Sequence, residues 1–90
     1  MSNIQKVGII GAGAMGQGIA QIAAQAGLEV YLFDVSAEAI SKAQKQLQAI
    51  WERLTERGRM TAEQMQAAQA QVKPCFTLEA LAESDLVVEA

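Results

Sequence analysis

Ninety residues make one small domain at most, and a hydrophobic fraction of 51% is ample for a core of that size. Seven basic against ten acidic side chains leave a formal net charge of −3 with no basic block, which excludes general attraction to nucleic acid or an anionic membrane surface. Cys75 is the single cysteine, so no internal disulfide is possible; no apolar run reaches bilayer length and Met1 to Lys6 lacks signal-peptide features, so a cytoplasmic location is expected.

In chain order, the first predicted element is an apolar strand, Val7-Gly8-Ile9-Ile10, running straight into Gly11-Ala12-Gly13-Ala14-Met15-Gly16. Gly11 lets the chain leave the strand in a tight turn. Gly13 keeps side-chain volume out of the space above the turn, and Gly16 lets the following helix pack close to the sheet. That helix carries Ile19, Ile22, Ala23 and Ala26 on one expected face, and Gly27 suits its C-terminus. A second apolar strand, Leu28 to Phe33, ends on Asp34.

A glycine turn between strand and helix, with a carboxylate at the tip of the next strand, is a site for the diphosphate and ribose of a dinucleotide. The helix N-terminus offers free N–H groups and the positive end of its dipole to an anion. No Lys or Arg lies in the loop, so backbone must bind the phosphates, and Gly16-Gln17-Gly18 excludes a Walker-type loop. Asp34 suits ribose hydroxyls and repels a 2′-phosphate, and no Arg follows in Val35-Ser36-Ala37; NAD is favoured over NADP. Asp34 could instead cap the next helix, but Ser36 is better placed for that.

The run from Ala37 repeats Ile40, Ala43, Leu47, Ile50 and Leu54 at helical spacing, with Gly58 as its stop. Trp51, at the edge of this face, reads as core or interface. Thr61-Ala62-Glu63-Gln64 is a capping box opening a further helix to about Gln71, with Met65, Ala68 and Val72 on its inner face. Val72 to Phe76 reads as a short strand, with Pro74 arguing for a sheet edge or an irregular piece. Leu78 to Ala82 is a helical turn behind Thr77, and Asp85 to Ala90 reads as a central parallel strand. The sequence has no His and no second Cys to activate Cys75, which reads as inert. Glu89 reads equally as a buried supporting acid or a solvated strand-end charge. The expected fold class is α/β: a Rossmann-type, doubly wound parallel sheet with a long helix pair inserted after the second strand.

Val7 to Ala20 and Tyr31 to Ala39 closely resemble the opening of the L-3-hydroxyacyl-CoA dehydrogenase family. Leu54-Thr55-Glu56-Arg57-Gly58-Arg59-Met60-Thr61 is similar to that family's link between paired helices, and Asp85 to Ala90 to its fourth strand. The resemblance spans nearly the whole sequence, and its flavour is that of the bacterial enzymes acting on 3-hydroxybutyryl- or 3-hydroxyadipyl-CoA. It implies oxidation of the 3-hydroxyl of an acyl-CoA, hydride transfer to NAD, and a His–Glu pair beyond the fourth strand. This sequence has no His. Residues 1–90 are therefore expected to be the N-terminal part of an NAD-binding domain, without the catalytic segment or the C-terminal helical domain.

The resemblance implies cofactor contacts from Gly11, Ala12, Gly13, Ala14, Met15, Gly16 and Asp34, and from the backbone of Ala90. It assigns no catalytic or metal-binding residue to this chain. It makes Arg57 the basic residue to test against CoA phosphates, although the ordinary reading of Arg57, and the favoured one, is a helix-end charge in solvent. The implied partners are an acyl-CoA and a second copy in a homodimer, with no nucleic acid and no membrane. A flavoprotein with the same glycine loop, another NAD-dependent dehydrogenase, or a non-catalytic NAD-sensing module remain alternatives.

Overall fold

The computed structural model describes residues 3–90; Met1 and Ser2, part of the segment read for a signal peptide, lie outside the described residues. Four strands, β1 (Lys6–Ile10), β2 (Glu29–Phe33), β3 (Val72–Cys75) and β4 (Leu86–Glu89), form one parallel sheet in the order β3-β2-β1-β4. Helices α1 (Ala14–Gln25), α2 (Ala37–Glu56) and α3 (Ala62–Gln71) connect the first three strands. A 3₁₀ turn at Glu79–Glu83 lies between β3 and β4. This is the Rossmann-type arrangement expected, with the helix pair after the second strand.

Strand alternation sorts the two faces. Val7, Ile9, Val30 and Leu32 point to one core, shared with Ala20, Ala23 and Ala24 of α1 and with Ile40, Ala43, Leu47 and Trp51 of α2. Phe33 and Cys75 point the other way, against Leu81 of the 3₁₀ turn. The crossover from β3 to β4 therefore runs over the face opposite the helices, which makes the sheet doubly wound.

Local chemistry sets the helix limits. Ser36 caps α2 by accepting from the Ala39 N–H, and Thr61 and Gln64 exchange both bonds of a capping box. Gly27 and Gly58 both take the left-handed conformation just past α1 and α2. The amides that follow return to carbonyls in the last turn: Leu28 to Ala23 at 3.0 Å and Arg59 to Leu54 at 2.9 Å.

Two expectations need correction. The buried stripe of α1 is Gly16, Ala20, Ala23 and Ala24, while Ile22 is 74% exposed and Ala26 is exposed. The helix lies so close to β1 that only small residues fit beneath it, and the larger Ile22 is turned outward. On α2, Trp51 (1% exposed) holds the inner position and Ile50 is only half-buried; the indole N–H donates to Gln25 Oε1 at 3.0 Å. Within residues 3–90, β4 pairs with β1 on one side, and Leu86 and Val87 are exposed on it. Asp85 precedes the strand. Its carboxylate accepts the Gln5 and Lys6 N–H groups, both at 2.9 Å, and ties down the start of β1. Pro74 lies on edge strand β3, as a residue without an N–H should.

Candidate cofactor site

Strand order reverses between β2 and β4 on either side of β1, and ligands of such sheets bind beyond the strand C-termini at that reversal. Gly11 and Ala90 meet there. The Gly11 N–H donates to the Phe33 carbonyl (2.8 Å), and the Ala90 N–H donates to the Ile10 carbonyl (2.9 Å). Gly11 has φ +116°, and a Cβ on it would stand 2.7 Å from the Ala90 carbonyl oxygen. A Cβ on Gly16 would stand 1.8 Å from the Gly11 carbonyl oxygen. The turn and the first coil of α1 thus lie backbone against backbone, and both positions exclude any side chain.

Gly13 is different. Nothing lies within 4 Å of a Cβ placed there, and the residue is exposed in an ordinary extended conformation (φ −78°). It is the N-cap of α1, with no side-chain cap and no acidic residue in the first turn. The positive end of α1 therefore faces an open space with its amides uncapped, and these features fit a diphosphate. Ala14 and Met15 begin the helix, and Met15 is 69% exposed, so its side chain is not core packing.

Asp34 stands at the tip of β2 beside the turn. Its Oδ2 accepts the Ala12 N–H and its Oδ1 accepts the Ser36 N–H, both at 2.9 Å. Helix capping falls to Ser36, as expected, but Asp34 also ties the glycine turn to the second strand, a link not foreseen from the sequence. A carboxylate has about four acceptor directions, so these two bonds leave room for ribose hydroxyls. The Ser36 N–H, and after it the Ala12 N–H, holds the Asp34 carboxyl below its ordinary 3.8, against a smaller opposing effect of burial. The Gln5 and Lys6 N–H groups lower Asp85 in the same way.

Both acids bind protons more weakly in the folded chain. Between their folded values and 3.8 the unfolded chain carries more protons, so stability rises with pH across that window. Thermal melts are expected to be level above about pH 5 and to fall steadily below 3.8. The Asp34→Ala, Asp85→Ala double variant should show a shallower fall. An equal slope in that variant would assign the acid sensitivity to other groups.

The structure gathers Gly11, Ala12, Gly13, Ala14, Met15, Gly16, Asp34 and Ala90 at one corner. Arg57 is not among them. It is the exposed C-cap of α2, a helix of 20 residues and so about 30 Å long that leads away from the Asp34 tip. Glu89 lies at the end of β4, and Cys75 is buried with its Sγ–H toward the Thr77 carbonyl (3.5 Å). Two residues at the corner carried no signal in the sequence. Val35, next to Asp34, is 95% exposed. Gln17 Nε2 donates to the Ala12 carbonyl at 3.1 Å. Among the described residues no group of three or more His, Cys, Asp or Glu could hold a metal ion, and no helix is long and apolar enough to cross a membrane.

The sheet order and this corner define a dinucleotide-binding domain. Residues 6–90 match the model of the 3-hydroxyacyl-CoA dehydrogenase NAD-binding domain, and the chain belongs to that family. It is 42% identical over 90 residues to 3-hydroxyadipyl-CoA dehydrogenase of Escherichia coli, covering all of this chain and 19% of the relative. It is 40% identical over 86 residues to 3-hydroxybutyryl-CoA dehydrogenase of Bradyrhizobium diazoefficiens, covering 96% and 29%. The crystal structure of 3-hydroxybutyryl-CoA dehydrogenase from Escherichia coli superposes with TM-score 0.95 at 41% identity, covering 98% of this chain and 19% of that one. An (S)-3-hydroxybutyryl-CoA dehydrogenase structure from Ralstonia eutropha gives 0.94 at 36%, covering 98% and 31%. The chain spans about a fifth to a third of the length of these proteins (19% to 31%). The match selects NAD as the cofactor and sets aside the flavoprotein and the other dehydrogenase groups.

Proposed function

We propose that this chain is the N-terminal part, residues 1–90, of an NAD-binding domain within an enzyme that oxidises the 3-hydroxyl of an acyl-CoA to a ketone. The supporting observation is the corner where an uncapped helix N-terminus faces open space beside Asp34. Bound there, NAD supplies the acceptor for the substrate hydride. The amides of Gly13 to Gly16 hold its diphosphate, Asp34 accepts from the adenosine ribose, and the Ala90 backbone lies alongside at the sheet reversal. No residue of this chain is given a catalytic role, and the chain by itself is proposed to bind the adenosine half of NAD without turnover.

The direct test is NAD-linked oxidation of 3-hydroxybutyryl- and 3-hydroxyadipyl-CoA by the full-length protein, with NADP as the comparison. Activity with either thioester and NAD supports the reading. Activity only on non-thioester alcohols, or only with NADP, defeats it, as does reduction of acetoacetyl-CoA by residues 1–90 alone. A cytoplasmic homodimer belongs to the same proposal and is checked by sedimentation of the full-length protein.

Arg57 is proposed to contact CoA phosphates. Arg57→Ala in the full-length protein is expected to raise the acyl-CoA KM about two- to fivefold with kcat unchanged, the scale of one exposed charge. An unchanged KM would leave Arg57 as a solvated helix-end charge.

A further inference from the structure

The two peptide planes of the glycine turn are fixed by different groups. In the Gly11–Ala12 plane, the N–H is held by Asp34 Oδ2 at 2.9 Å and the carbonyl lies against Gly16. In the Ala12–Gly13 plane, the carbonyl accepts from Gln17 Nε2 at 3.1 Å. Gln17 is the fourth residue of α1, and long helical side chains lean back toward the N-terminus, which carries its amide over the turn. Its own backbone N–H donates to the Gly13 carbonyl at 2.9 Å. One residue thus grips two successive carbonyls of the loop.

A trans peptide is planar, with its C=O and N–H pointing in opposite directions. Holding the Ala12 carbonyl toward Gln17 therefore aims the Gly13 N–H away from it. That N–H has no partner among the described residues, and Gly13 is exposed beside open space. Ala12 itself is only 3% exposed, so the plane is anchored on its inner side and free on its outer one. We propose that Gln17 is a positioning residue for the cofactor: by fixing the Ala12–Gly13 plane it presents the Gly13 N–H to the diphosphate. This rests on the NAD reading above.

The test is calorimetric titration of the full-length protein with NADH, ADP-ribose and adenosine. Gln17→Met keeps the length of the side chain and removes the donor; Gln17→Asn keeps the amide but shortens its reach. Both are expected to weaken NADH and ADP-ribose about three- to tenfold, the scale of one hydrogen bond, and to leave adenosine unchanged because it lacks the diphosphate. A residue with a merely structural role would weaken all three ligands together. Unchanged NADH affinity in both variants, or an equal loss for adenosine, overturns the proposal. If one variant fails to fold, the other gives the same readout. Wild-type protein that binds no NADH overturns the NAD reading, whatever the variants do.

Discussion

Gly16→Ala is expected to destabilise the protein by about 3 kcal/mol or more, at the upper end of what overpacking costs. Helix propensity alone predicts the opposite, a gain of about 1 kcal/mol for Gly to Ala in a helix interior. The clash decides the sign: the new Cβ would stand 1.8 Å from the Gly11 carbonyl oxygen, and no side-chain rotation can move a backbone atom. Gly18, two residues on in the same helix, has nothing within 4 Å of its Cβ position. Gly18→Ala should therefore show the propensity gain, up to about 1 kcal/mol. Thermal and denaturant melts of the two variants should move in opposite directions. A stable Gly16→Ala protein would mean that α1 can withdraw from the turn, and the close-packed loop would no longer explain the motif.

Asp34→Ala is expected to weaken NADH about ten- to hundredfold, since hydrogen bonds to a charged group contribute about 1.5–3 kcal/mol. The variant loses the ribose acceptor and also frees the Ala12 and Ser36 N–H groups. NADPH should lose far less, because removing the carboxylate also removes its repulsion of a 2′-phosphate. Titrating wild type and variant with both nucleotides measures the discrimination directly. Parallel losses for NADH and NADPH would show that Asp34 holds the turn and does not select the cofactor. The structure makes this outcome a real contest, because both carboxylate oxygens already bind backbone amides.

Much of the fold was legible from short-range chemistry. Thr61 and Gln64 form their capping box, Ser36 caps α2, and Gly27 and Gly58 stop their helices where a left-handed residue was needed. These features are local, so a sequence window contains all the interacting parts. The cofactor corner was legible for a related reason: each glycine reports a backbone requirement, and Gly11 and Gly16 show it as contacts with Ala90 and with Gly11 itself.

The misread positions depend on long-range packing. Periodicity placed Ile22 inward because large apolar residues usually face the core, yet the closeness of α1 to β1 admits only Gly16, Ala20, Ala23 and Ala24. Asp85 read as the start of a strand, but its partners, the Gln5 and Lys6 amides, are 80 and 79 residues away. The Gln17 bond to Ala12 depends on how the turn folds back over the helix, which no residue type announces.

By itself the sequence determined the order of strands and helices, the glycine turn and the acid that follows it, because each is written in residues close together along the chain. Only the tertiary structure decided which side chains steady that turn and where the basic helix end lies. It gathers Ala90, Asp34 and Gly11 at the reversal of the sheet and leaves Arg57 at the far end of α2. Those relations arise when distant backbone segments pack, and hydrogen-bond partners are then set by proximity in space and not by spacing in sequence.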